Sequence, residues 1–500
     1  MPPNILFIFT DQWRGDCLSC LGHPEVRTPH IDALADDGVA FRDVTTQAPV
    51  CVPARCSFFT GRYVHQLGHA EGMGRNAVGL WPETPNCVRA IRDAGYHTAV
   101  RGKLHLFWRH DNELLLSGPL LREFGFEDGE ETTGKCQYGR LRASAYTEHL
   151  RAKGLLEAYW REQQQLAHET RFSVTYGASQ LNEYDQMDGW VMNRGLTFLR
   201  EHAADTRPWF LWLGPEGPHD PFDPPGEWAD LYDPEKLDPG IRRFSEDPFH
   251  REAAEKMAVH EAPDAEIRRM RALYYGNISF LDHKIGECVK LLKEQGRYDN
   301  TWIVVSSDHG EMLGDFHLTA KRVFHRQAER VPLVIKPPAS VAGAPRGHIS
   351  DALVELNDVA TTMRDIAGGE LPHDQGKSLL PILRGEADPD AHRETVHSQY
   401  TDANGMIRTA TRKMVFNNPD DPSPRAYYHL DEDPDELRNR VGENPAEEQA
   451  FLEKHVLPFY REGLEPDPSL CWPEVRPWLT WGRHPIKEIL DRELERGTGE

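Results

Sequence analysis

Four short strand-like runs, each followed within a few residues by polar side chains that are mostly ionisable, constrain this chain more than any other feature. The runs are NILFIF, YHTAV, PWFLWL and TWIVV, and the side chains that follow them are Asp11 and Gln12, Lys103 and His105, His219, and Asp308 and His309. The short continuous apolar run NILFIF is typical of a strand buried on both faces of a parallel sheet, and the other three runs share its form of a strand followed by a polar loop. Because ligands of open α/β sheets lie outside the carboxyl ends of the strands, the pattern predicts one site that collects these side chains.

Helix signals stand between the predicted strands. In TPHIDALADDG, Thr28 is predicted as the N-cap, Pro29 occupies the first helical position and Gly38 ends the helix. The same order of residue types recurs in TPNCVRAIRDAG, residues 84–95. The alternation of strand and helix therefore predicts an α/β fold with a large, mainly parallel sheet sandwiched by helices.

Residue composition along the chain predicts two domains. Residues 1–384 would form the α/β domain, in which the long polar stretch at about 110–205 is interpreted as a helical insertion that shapes a pocket. Short strand-like pieces such as RKMVFNN and RAYYHL follow, so residues 385–500 would form a smaller α+β domain with an antiparallel sheet and a tail.

The charge balance excludes some partners. Lys and Arg total 57 against 80 Asp and Glu, a net charge of -23, which argues against nucleic acid or an anionic membrane as the main partner. The eight cysteines are too sparse for a disulfide scaffold and are expected to be reduced. The start has an apolar stretch of six residues without a basic region or a small-residue cleavage site, so we expect a cytoplasmic protein.

Cys51, in PVCVPARCSFFTGRY, raises four alternatives. The residue could be a thiol nucleophile, a zinc ligand, a buried structural cysteine or a cysteine destined for covalent conversion. The CxxC pair Cys17 and Cys20 lacks a second pair at zinc-finger spacing and is interpreted as packed turn residues. Cys56 is interpreted as a buried neighbour of Cys51.

The stretch CVPAR followed by CSFFTGRY resembles the sulfatase signature, in which the cysteine of Cys-x-Pro-x-Arg is oxidised after translation to formylglycine. The likeness extends to ILFIFTDQ, TPHIDALADDGVAF, GKLH, PHDPF, SSDHGEMLGD and AKR before RVPL, and it continues into YYHLDEDPDELRN. On this ordered set the chain is identified as a member of the sulfatase family. The resemblance implies an alkaline phosphatase-like fold and a formylglycine-generating enzyme as the partner that matures Cys51.

Conversion also has a chemical rationale. Arg55 and a helix N-terminus could lower the thiol pKa below the free value of about 8.5, and the thiolate could then attack a sulfate ester. The resulting S-sulfated cysteine would have no easy exit. An aldehyde hydrate instead carries two hydroxyl groups, of which one attacks sulfur and the other, on losing its proton, expels sulfate as the aldehyde reforms.

The resemblance implies that one divalent cation is held by Asp11, Gln12, Asp308 and His309 together with the formylglycine at position 51. Oxygen ligands favour Ca²⁺, whereas the histidine also suits Mn²⁺ and, less well, Mg²⁺. Many relatives carry two adjacent acids where this chain has Asp11 and then Gln12. That departure is shared with the phosphonate monoester hydrolase branch of the superfamily.

Four further residues match family positions that grip the sulfuryl group and move protons: Lys103, His105, His219 and Lys321. Arg55 would orient the hydrate, and His105 would take the proton from its second hydroxyl. His219 and Lys321 would lie near the leaving-group oxygen, where a cation or general acid offsets developing charge. The pair Lys103 and His105 is unusual in the phosphonate monoester hydrolase branch and therefore favours a sulfatase.

The sequence thus predicts a sulfatase that hydrolyses a small anionic sulfate monoester, aryl or alkyl, to an alcohol and inorganic sulfate. One alternative is a phosphonate monoester or phosphodiester hydrolase with the same nucleophile. Another is a non-catalytic, metal-binding relative in which Cys51 stays a thiol. A homo-oligomer is possible, and its candidate interfaces are the middle insertion and the aromatic tail at residues 472–485.

Overall fold

A computed structural model describes residues 2–68, 79–106, 118–132, 134–135, 144–169, 174–401, 404–417, 422–461 and 467–470. Within these residues a sheet of eight strands and a sheet of four strands are present. The strands of the large sheet are Asn4–Thr10 (β1), Val39–Thr45 (β2), His97–Gly102 (β3), Asp128–Glu131 (β4), Trp209–Gly214 (β5), Thr301–Ser307 (β6), Arg330–Lys336 (β7) and His348–Glu355 (β8). Those of the small sheet are Val396–Gln399 (β9), Gly405–Arg408 (β10), Arg412–Phe416 (β11) and Pro424–His429 (β12).

The large sheet is mainly parallel, as the sequence predicts. Its strand order is β4-β3-β5-β1-β6-β7-β2-β8, and β7 alone among these strands runs antiparallel to both of its neighbours. The central strand β1 pairs in parallel with β5 and β6, so that Phe7 lies opposite Trp212 on one side and Val304 on the other. The carboxyl ends of β1, β3, β5 and β6 therefore meet at one edge of the sheet.

The uninterrupted apolar sequence of β1 serves two separate cores. Ile5, Phe7 and Phe9 lie in one core, whereas Leu6 and Ile8 lie in the other. Successive side chains of a strand point to opposite faces, so a strand covered by helices on both faces needs apolar residues at every position. This arrangement explains the run from which the fold class was predicted.

Helices cover both faces of the sheet. They are Pro29–Asp36 (α1), Cys51–Thr60 (α2), Cys87–Asp93 (α3), Gly118–Glu123 (α4), Ala145–Ala152 (α5), Leu156–Glu169 (α6), Met187–Glu201 (α7), Pro248–Met257 (α8), Asp264–Glu294 (α9), Arg326–Glu329 (α10), Leu356–Ala367 (α11), Leu380–Leu383 (α12), Pro445–Phe451 (α13) and Leu457–Arg461 (α14). Helices α2, α3 and α11 pack against the core that contains Phe7, and α1, α7 and α9 pack against the core that contains Leu6. In the described residues no helix is both long and apolar enough to cross a bilayer.

Helix α1 begins at Pro29 as predicted, but its cap differs from the prediction. Thr28 occupies the N-cap position, yet its hydroxyl lies 3.2 Å from a carboxylate oxygen of Asp32 and does not cap the backbone. The first free N–H groups are instead accepted by Asp282 of α9, at 2.7 Å from the N–H of Ile31. A residue distant in sequence thus satisfies the helix end.

The middle of the chain is less purely helical than its sequence indicates. The range of about 110–205 contains α4 to α7, and it also contains β4, which forms the edge of the large sheet. The sequence interpretation missed this strand because Asp-Gly-Glu-Glu is short and lacks an apolar alternation. The range therefore contributes to the main sheet as well as to the helices around it.

The small sheet is antiparallel throughout, in the order β12-β11-β10-β9, and a core of its own forms against α13 and α14. The predicted smaller C-terminal sheet is confirmed, whereas the boundary at residue 384 stays a prediction. The aromatic tail at 472–485, suggested from sequence as an interface, lies outside the described residues.

Candidate active site

Cys51 is the first residue of α2, directly after the extended residue Val50. The thiol side chain is buried, with 2% of the residue exposed. The first N–H groups of a helix have no acceptors within the helix, so Cys51 lies in a region of positive potential. The helix ends before Gly61, whose φ of 69° lies in the left-handed region that glycine favours.

Four predicted metal ligands meet at the edge of the sheet. Asp11 follows β1, Asp308 and His309 follow β6, and one potential ligand atom of each lies within 4.8 Å of the others and of the Cys51 sulfur. The Sγ atom of Cys51 is 3.2 Å from His309 Nε2 and 3.7 Å from Asp11 Oδ1. Residues separated by up to 298 positions in sequence therefore surround one sulfur atom.

Gln12 is held in a conformation that leaves one of its atoms without a partner. Its φ is 64°, and its backbone N–H donates to Asp308 Oδ1 at 3.1 Å. Its side-chain amide donates through Nε2 to the carboxylate of Glu311, which identifies the other end as the oxygen. That Oε1 atom is buried and has no hydrogen-bond partner among the described residues. Burial of an oxygen without a partner costs folding free energy, so this position suits a cation or a hydrogen-bond donor.

Glu311 is a site residue that sequence reasoning missed. One of its oxygens accepts the backbone N–H groups of Leu313 at 2.9 Å and Ala320 at 2.6 Å, and the other holds Gln12. Burial raises the pKa of Glu311 to about 7. The residue stands in the quoted motif SSDHGE, but nothing in that motif indicates that it orients Gln12.

His309 presents an unprotonated nitrogen to Cys51. Its Nδ1 lies 2.9 Å from the carbonyl oxygen of Gly310, so Nδ1 carries the proton and Nε2 carries the lone pair. Burial lowers the pKa of His309 to about 4. The imidazole is therefore neutral at physiological pH, which is the form that binds metal ions.

The residues at this edge fit a divalent cation. They offer carboxylate oxygens of Asp11 and Asp308, the Nε2 lone pair of His309 and the unpaired Oε1 of Gln12. A set of mostly oxygen donors with one imidazole suits a hard or borderline divalent ion. A bound cation would also give Gln12 Oε1 the partner that it lacks.

Two buried cations flank the carboxylates. Arg55 donates through Nε to Asp308 at 2.7 Å and through a terminal nitrogen to Asp11 at 3.2 Å. The Nζ atom of Lys103 lies 2.8 Å from Asp11. Burial by itself raises the pKa of Asp11, but the neighbouring cations, Lys103 foremost, hold it well below its usual value. The carboxylate therefore stays ionised.

Lys321 lies directly against the sulfur. Its Nζ atom is 2.9 Å from Cys51 Sγ and 3.1 Å from His309 Nε2. Burial opposes its charge, but Cys51 and Asp11 raise the pKa of Lys321, so an ammonium group is expected beside the nucleophile position. The resemblance implied a place near the leaving-group oxygen for this lysine, and the contact with position 51 is an addition to that role.

The unmodified thiol is not activated in this arrangement. Burial, followed by the charge of Asp11, raises the pKa of Cys51, and Lys321 opposes this only in part. The expectation that this pKa falls below the free value is wrong. Arg55 does favour the thiolate, but it donates to the carboxylates of Asp308 and Asp11, and its effect on Cys51 does not offset burial.

His219 and His105 follow the two strands on the other side of β1. The Nδ1 atom of His219 lies 2.7 Å from the carbonyl oxygen of Asp220, and burial together with Lys321 lowers the pKa of His219 well below its usual value. His105 has a φ of 58°, and its backbone N–H donates to Glu131 at 3.2 Å. The proton-transfer roles of both histidines stay predictions.

A second buried group of charges, here called the Lys135 cluster, comprises Lys135, Asp188, Asp223 and Glu216. Lys135 Nζ lies 2.6 Å from Asp188 and 2.8 Å from Asp223, and the backbone N–H of Lys135 donates to Glu216 at 2.7 Å. Asp188 also accepts the N–H of Gly217 at 2.7 Å. The cluster thus holds the segment between β5 and His219 in place. Sequence reasoning missed it, since its members come from distant segments.

Comparison with protein families gives two profile matches that together span residues 3–457. The profile of the sulfatase family matches residues 3–369, and the profile described as N-sulphoglucosamine sulphohydrolase, C-terminal, matches residues 314–457. The first of these covers well over half of the chain. The chain belongs to the sulfatase family. Curated relatives of this sulfatase are sulfuric ester hydrolases, and the enzyme class predicted from sequence is confirmed.

Similar proteins cover almost the whole of this sulfatase. The choline-sulfatase of Rhizobium meliloti is 30% identical over 524 residues, which covers 98% of this chain and 95% of the relative. The arylsulfatase of Clostridium perfringens is 28% identical and covers 93% of this chain and 95% of the relative. Among solved structures, the phosphonate monoester hydrolase of Agrobacterium radiobacter has a TM-score of 0.74 at 25% identity and covers 90% of this chain and 94% of that one. The likeness to sulfatases and to phosphonate monoester hydrolases, expected from the motifs, is confirmed.

Proposed function

We propose that this sulfatase hydrolyses a small aryl or alkyl sulfate monoester to an alcohol and inorganic sulfate, through a formylglycine made from Cys51 and with one divalent metal ion. The observation that carries the proposal is the position of Cys51. An ammonium group, a neutral imidazole and a carboxylate all lie within 3.7 Å of its sulfur, contributed by Lys321, His309 and Asp11. A side chain at this point has both a charge-stabilising and an orienting neighbour, which a nucleophile needs.

The charge balance of the site suits an anion. Arg55, Lys103 and Lys321 supply three positive charges, and Asp11 and Asp308 supply two negative charges, so a net positive charge remains even before a metal ion is counted. Negative charge grows on the sulfuryl and leaving-group oxygens in the transition state of ester cleavage. Fixed cations in a buried site stabilise that charge more strongly than water does.

The raised pKa of Cys51 supports conversion over direct attack by a thiolate, because little thiolate forms at neutral pH in the environment that the protein provides. The hydrated aldehyde supplies one hydroxyl for attack and a second whose deprotonation releases sulfate. We assign the second proton transfer to His105 and the positioning of the hydroxyl groups to Arg55, which is anchored on Asp308.

Lys321 and His219 are assigned to the leaving-group oxygen, with different parts to play. Lys321 remains charged and offsets the developing alkoxide charge without moving a proton. His219 is neutral in the free protein, since burial lowers its pKa. A bound anion raises that pKa, so His219 becomes able to donate a proton only when substrate is present.

The metal ion, when bound, acts as a Lewis acid towards the sulfuryl group and lowers the pKa of the attacking hydroxyl. Asp11, Gln12, Asp308 and His309 would hold it. Three of these four side chains offer oxygen, so Ca²⁺ is the expected ion, and the imidazole leaves Mn²⁺ and Mg²⁺ as alternatives.

A phosphonate monoester or phosphodiester hydrolase with the same nucleophile is the second candidate. Gln12 in place of a second acid favours it, and so does the structural likeness to the phosphonate monoester hydrolases of Agrobacterium radiobacter and Silicibacter pomeroyi, with TM-scores of 0.74 and 0.71. The buried pair of Lys103 and Asp11 favours the sulfatase, because the resemblance places this lysine in the grip on sulfate.

Two measurements on one preparation test the proposal. The sulfatase is produced aerobically with a formylglycine-generating enzyme, and the peptide that contains Cys51 is analysed by mass spectrometry, where conversion gives a loss of about 18 Da. The values of kcat/KM are then compared for an aryl sulfate, a phenylphosphonate monoester and a bis-aryl phosphate. We expect conversion and a preference for the sulfate. Dominance of the phosphorus substrates would transfer the protein to the second candidate, and an unmodified thiol in active protein would exclude the formylglycine mechanism.

A further inference from the structure

A second group of potential metal-binding side chains lies at the amino ends of the strands, whereas Cys51 lies at their carboxyl ends. His97 begins β3, Asp128 begins β4, and His202 follows the last residue of α7. One potential ligand atom of each lies within 4.8 Å of the other two. The ring centroids of His97 and His202 are 4.9 Å apart. The proposed catalytic chemistry uses none of these residues.

The fold brings the three residues together. Strands β3 and β4 pair in parallel, so their first residues lie at the same edge of the sheet. Helix α7 packs on β3 and ends beside that edge. The side chains of His97, Asp128 and His202 are 22%, 40% and 20% exposed, which leaves the group open to an ion from solvent yet partly shielded from water.

Hydrogen bonds prepare His202 as a ligand. Its Nδ1 lies 2.7 Å from a carboxylate oxygen of Asp205, so Nδ1 carries the proton and Nε2 keeps the lone pair. Histidines that bind metal ions in proteins almost always donate their other ring N–H to a carboxylate, carbonyl or water in this way. Asp205 would therefore fix both the tautomer and the ring orientation of His202.

One ring nitrogen of His97, the buried Nε2, lacks a hydrogen-bond partner among the described residues. Its other ring nitrogen lies 3.6 Å from Glu127, beyond hydrogen-bonding distance. Buried polar atoms without partners are rare in native proteins and call for an explanation such as an ion.

We propose that His97, Asp128 and His202 bind one divalent transition-metal ion of the Zn²⁺ class. Two imidazoles and one carboxylate are a ligand set that Zn²⁺ accepts, with solvent at the remaining position, whereas Ca²⁺ and Mg²⁺ prefer oxygen ligands. This site is separate from the oxygen-rich site at Asp11. It stands whether or not Cys51 is converted.

Neighbouring charges leave the site accessible to a cation. Arg101 lies 2.6 Å from Asp128 Oδ2 and 3.5 Å from Glu130, so an ion would share the Asp128 carboxylate with this guanidinium, whereas Arg207 donates to both oxygens of Glu127 at 2.8 Å. Asp205 adds a further negative charge beside His202. An ion bound here would join β4 to β3 and to the end of α7, and would stabilise a strand whose one partner strand among the described residues is β3.

Zinc stoichiometry tests the proposal directly. Tag-free protein is dialysed against Zn²⁺, and bound metal is counted by atomic spectrometry in the wild type, His97→Asn and His202→Asn. We expect each variant to bind one equivalent less than the wild type. With Co²⁺ in place of Zn²⁺, we expect the visible ligand-field absorption from this site to be lost in both variants. His149→Asn is the matched control, because His149 also contacts a carboxylate, that of Asp185 at 2.7 Å, but does not belong to the group.

Asp205→Asn provides a milder variant that keeps all three ligands. Loss of such an outer hydrogen bond typically costs 10–100-fold in metal affinity, so we expect Zn²⁺ binding weaker by about that factor with the same stoichiometry at saturation. Addition of Zn²⁺ should also raise the Tm of the wild type by more than it raises that of His202→Asn, which keeps the site at Asp11. Equal Zn²⁺ stoichiometry in the wild type and both histidine variants, or equal losses in His149→Asn, would overturn the proposal.

Discussion

The active site and the Lys135 cluster are two buried groups of charges on neighbouring strand ends, and their charge balances are opposite. Around Cys51, three cations face two carboxylates, those of Asp11 and Asp308. In the Lys135 cluster, one ammonium group pairs with the carboxyl groups of Asp188 and Asp223, and a third carboxyl group, that of Glu216, accepts the backbone N–H of the same lysine. Both groups lie out of contact with bulk water, so neither excess is screened by solvent.

The difference shows what a buried excess of charge does. Where the excess is positive, as around Cys51, an anion lowers the electrostatic energy, which favours binding of a sulfate ester. In the Lys135 cluster burial, reinforced by the charge of Asp188, raises the pKa values of Glu216 and Asp223 to about 7, so protons are retained there. A positive excess thus suits catalysis on an anion, and a negative excess with hydrogen-bonded carboxyl groups suits the support of a loop.

The largest expected effect concerns the residue at the centre of the positive group. Cys51→Ala removes the nucleophile, and we expect kcat/KM for an aryl sulfate to fall by roughly 10⁵-fold or more. The control is Cys56→Ala, in the same buried helix, which should change activity by less than about tenfold since its thiol lies in the apolar core, 3.9 Å from the carbonyl oxygen of Leu106. Similar losses in both variants would mean that α2 acts through its packing and that Cys51 is not the nucleophile.

The next prediction removes the cation of the negative group. Lys135→Met leaves Asp188 and Asp223 facing each other without compensation, and breaking a buried ion pair by removal of one partner typically costs about 3–5 kcal/mol. We therefore expect the free energy of unfolding in urea to fall by that amount. A variant as stable as the wild type would contradict the structural role of the cluster.

Lys103→Met likewise removes a buried lysine charge, here from the group around Cys51. We expect it to lower activity strongly and stability only slightly, the reverse of Lys135→Met. Asp11 keeps Arg55 as a partner, so we expect a smaller change in the free energy of unfolding than for Lys135→Met. The transition state loses one fixed cation, and kcat/KM should fall by about 10²–10³-fold, equivalent to roughly 3–4 kcal/mol. Steady-state kinetics and urea unfolding of both variants measure the two losses. If Lys103→Met and Lys135→Met lose the same activity and the same stability, the distinction between the two groups is wrong.

The dependence of stability on pH tests the negative group further. Burial raises the pKa of Glu216 to about 7 from a usual value near 4.5. Between these values the folded protein keeps a proton that the unfolded chain has lost, so the free energy of unfolding should decrease as the pH rises from about 4.5 to 7, by about 3 kcal/mol from this residue. Glu216→Gln should remove that part of the slope, whereas Glu294→Gln at an exposed position should retain it.

The smallest expected effect concerns the orientation of Gln12. In Glu311→Gln the new amide group competes with the Nε2 group of Gln12, which we expect to turn so that its oxygen no longer faces the metal site. Affinity for Ca²⁺ or Mn²⁺ should fall about 10–100-fold, as for loss of other residues that orient metal ligands. Calorimetric titration measures it, and an unchanged affinity would exclude Glu311 as a positioning residue.

Sequence reasoning identified the site where position along a strand carries the information. Asp11, Asp308 and His309 follow long apolar runs, and parallel pairing of those runs is enough to predict that they meet. It failed where the information lies in contacts between distant segments. Asp282 caps α1, and Lys135 supports the segment before His219, although no local pattern marks either residue. The strand β4 was missed for a similar reason: its own sequence has no strand pattern, and its extended conformation depends on pairing with β3.

The antiparallel pairing of β6 with β7 has a practical consequence for enzyme design. Residues 308–329 leave one strand and return on the adjacent one, and backbone hydrogen bonds of Gly310 to Ala328 and of Glu311 to Gln327 close the base of the excursion. This one stretch carries two of the proposed metal ligands and Lys321, the lysine beside position 51. Residues 308–329 can therefore be exchanged as one segment. Exchange of this stretch between relatives would transplant much of the chemistry while every other strand connection stays in place.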